Sequence, residues 1–397
     1  MRVLLTSEAR FDRTPDGAIW GPPAYGQALW TRYLDVFSSV LIAARVADVP
    51  EPTTGSVQAS RPHVAFCPLP PYRGLSGLVR SFPSLRSRLA DAVSTASVII
   101  VRAPSPLAYL TCRAATRAGR RFAAEIVGDP DQVFSPGVFR HPLRGVIRRL
   151  ATAAQRQIAR DAVAVLYVTR EVLQQRYPTG GEAYAASDAA LDDLAFDGGG
   201  PREWSAPAPF VLVTVGGLDQ PFKGTSVLLQ ALSRLRRAGA PVTLRIVGGG
   251  RLLSGLRQEC EALGLSADVQ FLGQRDRAGV RDALDAAHLF VLPSLTEGLP
   301  RALLEAMARG LPAVASDVGG VPELLPPPCL VPPGDSDALA ARIELAMSDD
   351  RGRRRLAERN RELALHYHES VQVPVRRAFL RAVSQASADG FREVRCA

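Results

Sequence analysis

Lysine is nearly absent from this 397-residue chain: Lys223 is the only one, although Lys and Arg together number 48. Basic character is therefore written almost wholly as arginine, so arginine density by itself carries little information. Cysteine is sparse too. Cys67, Cys112, Cys260, Cys329 and Cys396 are scattered, with no C-x-x-C pair, which argues against a disulfide framework or a zinc site and leads us to expect reduced thiols in a cytoplasm. Aromatic residues make up 6%. No apolar run approaches the ~20 residues that span a bilayer, and MRVLLTSEAR reaches Glu8 too early for a signal-peptide core. Internal repeats and low-complexity tracts are also missing, which removes solenoid and fibrous classes.

What is present is globular in proportion: 47% hydrophobic, 22% charged, net charge +9. The length exceeds what one core usually supports and predicts two domains. The positive charge is lopsided, since residues 1–185 hold 23 Arg against 13 acidic residues while the remainder is near neutral. Short apolar runs, VLLTS, VIIVR, FAAEIVG and AVAVLYVT, alternate with helix-sized segments such as Pro106–Ala118 and Leu143–Arg160. That alternation reads as a doubly wound α/β unit. After the Gly- and Pro-rich stretch 192–209, a second series begins with FVLVTVGG and continues through VTLRIVGGG, VQFLG, HLFVLPS, PAVAS and CLVPP. Two Rossmann-like parallel-sheet domains, 1 to about 190 and about 205–370, are expected to face a cleft, with a helix over about 371–397 crossing back to the first.

The stretch TEGLPRALLE, Thr296–Glu305, carries the chemistry. Gly298 and Pro300 punctuate a turn after an apolar strand, and strong helix formers follow from Arg301. The unpaired amides and positive dipole end of such a helix start suit a diphosphate. Glu297 precedes the helix, and Glu305 lies about 7 Å along its axis from Pro300. Carboxylates so placed can accept hydrogen bonds from sugar hydroxyls, or can be one solvated loop glutamate and one helix-face glutamate.

SLTEGLPRALLEAMARGLPAVASDVGGVPELL resembles the E-x7-E region of GT-B glycosyltransferases of family 4, and the likeness extends through VLVTVGGLDQPFKGTSVLLQAL, LRIVGGGRLLSGLRQECEALGL and VLYVTREVLQQRYP, covering most of 160–345. The resemblance implies a retaining transfer of a sugar from a nucleotide diphosphate sugar, UDP favoured, to an acceptor hydroxyl of a glycan, lipid-linked glycan or natural product. The nucleotide sugar is then a co-substrate, with no metal or other cofactor. It places Glu297 at the donor sugar, Glu305 at the ribose, the backbone of Gly216 and of Gly298–Leu299–Pro300 at sugar and diphosphate, and Lys223 at the diphosphate. One departure stands out: the family's arginine in a Gly-Arg-Leu turn is replaced by Gly217 of Gly216–Gly217–Leu218, leaving Arg251, Arg275 and Arg301 as candidate second cations. In the first domain the resemblance points to a glycine-rich loop near Trp20, Gly21, Tyr25 and Gly26, and to Asp129 facing the acceptor. Trp20, Tyr25 and Trp30 read either as a sugar platform or as core.

Other features weigh less. Asp129–Asp131 and Asp335–Asp337 each spell D-x-D, weak evidence for a metal. The five histidines read as structural or solvated. Arginines beside apolar positions in Phe139–Arg160 suit a solvated face, a phosphorylated acceptor or peripheral contact with an anionic membrane. No nucleic-acid motif accompanies the basic charge. A phosphorylase-like enzyme and a catalytically silent sugar-nucleotide binder share the same pattern. A dinucleotide oxidoreductase fits poorly, because VGGG followed by RLLSGL lacks G-x-G-x-x-G spacing.

Overall fold

A computed structural model describes residues 1–139, 141–189, 191–197 and 209–395. Apolar runs rich in Val, Ile and Ala become strands covered on both faces, as parallel strands are. The first sheet contains β1 (Arg2–Arg13), β2 (Ile19–Gly21), β3 (Ser39–Asp48), β4 (Val57–Gln58), β5 (Val64–Leu69), β6 (Val98–Ala103), β7 (Ala123–Ile126), β8 (Ala164–Tyr167) and β9 (Glu182–Ala185). Its parallel body runs in the order β5-β3-β1-β6-β7-β8-β9. At its far end β1, still parallel to β3 as far as Arg13, also pairs antiparallel with β2, which pairs with β4, forming a side arm.

The second sheet is parallel throughout, in the order β12-β11-β10-β13-β14-β15, with β10 (Phe210–Val215), β11 (Val242–Val247), β12 (Val269–Gly273), β13 (Leu289–Leu292), β14 (Ala313–Ser316) and β15 (Leu330–Val331). Strand order reverses at β10 and β13, the switch point where crevices open in doubly wound sheets. The fold class is thus the expected pair of doubly wound parallel sheets. Part of the Gly- and Pro-rich stretch, 198–208, lies outside the described residues, as does 190; residues Asp193–Phe196 form one helical turn.

The last helix, Glu369–Arg395, returns to the first sheet, where Phe379, Leu380 and Val383 are buried with Val3, Trp30 and Ile100. Glu323, from the second unit, accepts hydrogen bonds from the amides of Arg170, Glu171 and Val172 at 2.7, 3.0 and 2.6 Å. That carboxylate satisfies the start of the helix Val172–Arg176 across the cleft. No helix of the described residues is long and apolar enough to cross a membrane.

Candidate active site

The switch point brings two loops together. β10 ends at Gly216–Gly217, leading to the short turn Pro221–Lys223, and β13 ends at Ser294–Glu297. Lys223 Nζ lies 2.7 Å from Glu297 Oε1, and Ser294 Oγ donates to the same oxygen at 2.7 Å. The pair is shielded: the Glu297 side chain is 9% exposed and that of Lys223 29%. Glycine makes this approach possible. Gly224 adopts a left-handed conformation (φ 69°), and a Cβ there would collide with the Pro293 carbonyl oxygen. The Lys223 stem passes Gly216, 3.6 Å from where a Cβ would stand.

The helix Arg301–Ala308 begins after Pro300 with no side-chain cap, leaving its entrance open to an anion. Leu299 and Pro300 are buried, and Gly298 is where the second unit meets the first: a Cβ on it would strike the Val127 carbonyl oxygen. Its own carbonyl accepts from Gly320 N at 2.7 Å. One turn into the helix, Glu305 lines a cavity of about 420 Å³ together with Arg275, Arg277, Arg301, Tyr25 and Gly26. Burial pushes the Glu305 carboxyl up, with Arg301 and Arg277 opposing. Lys223 and Glu297 do not line this cavity; they meet at the switch point instead. The two glutamates of the motif therefore have different surroundings. Of the candidate second cations, Arg275 and Arg301 line the cavity, whereas Arg251 leans on Asp219 beside the Gly216–Leu218 turn, its guanidinium donating to the Asp219 carbonyl at 3.0 Å.

Several expectations for the first unit need correction. Trp20 and Gly21 lie on β2, in the side arm, because β1, still paired with β3, runs on past the other strands and carries them away from the cavity; Trp20 Nε1 donates to Thr14 Oγ1 at 3.3 Å, and Gly21 sits against the Phe11 ring. Tyr25 closes the short 3-10 turn Pro23–Tyr25, and it and Gly26 line the cavity. Tyr25 Oη accepts from Ser7 Oγ at 2.6 Å, and Gly26 precedes the helix Gln27–Leu34. Trp30 is core, 1% exposed. Asp129, expected to face the acceptor, is buried and fully engaged: it caps the turn Pro130–Val133 through Asp131 N and binds Tyr177 Oη and Arg176. Its D-x-D partner Asp131 forks with Arg148 at 2.7 and 2.8 Å. Asp335 likewise caps the helix Ser336–Ser348, and Asp337 pairs with Arg234. Both D-x-D pairs are accounted for by capping and ion pairing. Among the described residues no cluster of three or more His, Cys, Asp or Glu is placed to hold a metal.

A polar network on the cavity's first-unit wall escaped the sequence reading. Arg102 of β6 pairs with Glu125 of β7 at 2.8 Å and with Asp188, Tyr33 Oη donates to Glu125 at 2.7 Å, and Arg376 of the last helix joins Asp188 at 3.4 Å. Burial pushes the Asp188 carboxyl up, but Arg102, Arg376 and Arg32 outweigh it and hold it at about 2. The available signal was Glu125 itself, a carboxylate inside an apolar strand.

Two doubly wound parallel sheets meeting at a cleft define the GT-B architecture. Residues 203–363 match the family model described as glycosyl transferases group 1. The chain is 23% identical over 361 residues, 90% of each chain, to protein CapJ of Staphylococcus aureus. It is 36% identical to the putative colanic acid biosynthesis glycosyltransferase WcaL of Escherichia coli K12, over 172 residues that span 41% of each chain. Among solved structures, Anabaena HepE in complex with UDP-glucose superposes with a TM-score of 0.62 at 20% identity, covering 99% of this chain and all of that one. The chain thus carries a region, residues 203–363, that matches the group 1 glycosyl transferases, on a GT-B fold.

Proposed function

We propose that the chain is a retaining, family 4 enzyme that moves a hexose from a UDP-sugar to a hydroxyl of a glycan, lipid-linked glycan or natural product. The observation that carries this reading is the Lys223–Glu297 contact at the switch point, beside an uncapped helix that presents Glu305 to the cavity. The diphosphate sits at the helix entrance and Gly216. Glu305 takes the ribose hydroxyls and Glu297 the donor sugar, each accepting hydrogen bonds. As the anomeric C–O bond to the diphosphate breaks, Lys223 stabilises the departing charge; the acceptor oxygen bonds to the anomeric carbon, and its proton passes to the leaving diphosphate. Because Lys223 supplies the positive charge, the reading requires no divalent cation. Residues 1 to about 190 with the returning helix hold the acceptor, and about 205–370 the donor; UDP is favoured because HepE holds UDP-glucose.

The same reading places the protein in the cytoplasm, with the Phe139–Arg160 segment touching an anionic membrane face. There Leu143, Val146 and Leu150 are exposed among arginines; Arg140 lies outside the described residues. A thermal-shift screen against UDP-, GDP- and ADP-glucose tests the donor, since a ligand of the native state raises the melting temperature. Proton NMR of the product's anomeric centre tests retention. No shift with any of the three, or an inverted product, overturns the assignment.

A further inference from the structure

Four arginines, Arg10, Arg45, Arg73 and Arg251, outnumber the two carboxylates beside them, Glu8 and Asp219. A bulge between Ser7 and Arg10 sets Arg10 directly beside Arg45, its register partner on β3. Like charges side by side on neighbouring strands destabilise a sheet. Arg45 lies over the Tyr72 ring at 4.9 Å, and its Nε is buried with no hydrogen-bond partner. Arg73 follows Tyr72 between β5 and the helix Gly74–Thr95, and Arg251, which leans on Asp219, approaches from the second unit. Burial and the charges of Arg45, Arg73 and Arg251 push the Arg10 guanidinium down, with Glu8 alone opposing. Glu8 is already committed. It pairs with Arg45 at 3.2 Å and accepts from Tyr72 Oη at 2.9 Å, Ser105 Oγ at 2.9 Å and Leu107 N at 3.1 Å. Arg10 and Arg73 are exposed and make no ion pair or side-chain hydrogen bond among the described residues.

Arg10 and Arg45 stand in the carboxyl-terminal halves of β1 and β3 and Arg73 beyond the end of β5, toward the ligand side of an open α/β sheet. We propose that the acceptor carries a phosphate ester and that Arg10, Arg45, Arg73 and Arg251 receive it. This rests on the glycosyl-transfer reading above. Planar guanidinium forks match phosphate oxygens bidentately, and a phosphomonoester brings roughly −1.5 to −2 charge at pH 7, the sign and size this group lacks. Because Arg251 belongs to the second unit, the anion also bridges the cleft.

The test uses the full chain in 0.15 M salt with its nucleotide site saturated by UDP. Inorganic phosphate, glucose 6-phosphate, glucose, and phosphatidylcholine vesicles with and without phosphatidic acid are titrated against wild type and the R10Q/R73Q double variant. Wild type should bind a phosphate-bearing probe, and the variant should bind it at least tenfold more weakly while its UDP affinity stays within twofold. A loss seen with glucose 6-phosphate identifies a soluble sugar phosphate, and a loss confined to phosphatidic acid vesicles a lipid-borne one. Equal affinity of wild type and variant for every probe overturns the proposal, as does wild type binding none of them. Failure of wild type to bind UDP would instead overturn the donor reading.

Discussion

Replacing Lys223 is the sharpest perturbation of the proposed donor site. Its ammonium sits 2.7 Å from Glu297 Oε1, and both side chains are largely withdrawn from water. Removing one preorganised charge-stabilising group from such a site costs roughly 3–4 kcal/mol in the barrier, about 10²–10³ in kcat. The ground state pays less. Lys223→Ala leaves Glu297 with Ser294 Oγ at 2.7 Å, and the 29% exposure of Lys223 lets water take its place, so the stability loss should be about 1–2 kcal/mol rather than the full cost of an orphaned buried charge. Lys223→Met separates charge from packing, because it keeps the stem that passes Gly216. Both variants should remain folded and release UDP at least 100-fold more slowly at saturating donor. Turnover of Lys223→Met within about threefold of wild type would refute the leaving-group role.

Gly217 is exposed, without positive φ, and a Cβ there meets nothing within 4 Å. Gly217→Arg should therefore cost no stability and, by adding a second cation at the diphosphate, tighten UDP binding about tenfold by calorimetry; unchanged affinity would separate this turn from the diphosphate. Gly224→Ala should lose at least ~1–2 kcal/mol in denaturant unfolding, since it adds left-handed strain and a collision with Pro293, and it should slow turnover by moving Lys223. On the proposed reading the ionised Glu305 accepts ribose hydroxyls; because burial raises this carboxyl, that form is lost as pH falls, and UDP affinity with it, at a higher pH than an ordinary carboxylate would give. Glu305→Gln should abolish that dependence and raise the melting temperature of the free protein, because it removes a desolvated charge. Asp188, held at about 2, contributes stability that is present above its unfolded value near 4 and lost as pH falls toward 2, roughly 2 kcal/mol. Asp188→Asn should flatten acid unfolding over that window.

What the chain disclosed in advance depended on whether each feature was local. All six strands of the second sheet coincide with apolar runs bounded by Gly or Pro, and their order makes the ends of β10 and β13 neighbours. Lys223 and Glu297, 74 positions apart, meet for that reason. In the first sheet β3 and β5 were passed over. β3 carries Arg45 inside its run, and β5 contains Pro68, tolerated because β5 is an edge strand. Asp129 shows how one signal serves two causes: Asp-Pro after a strand is an N-cap followed by proline at the first helical position, and that capping accounts for the residue without any acceptor. Trp20 was misplaced because the length of β1 is set by pairing with β2 and β3, which no local pattern reports. The Arg102–Asp188 pair spans 86 positions and joins three elements through Arg376, so spacing carries no trace of it. Glu297 and Glu305 combine both cases. Eight positions put them at one helix entrance, yet one is drawn into an ion pair by a loop from a neighbouring strand while the other is left desolvated on a cavity wall. They should accordingly fail differently when neutralised: Glu297→Gln releases Lys223 and should act on turnover, and Glu305→Gln should act on nucleotide affinity.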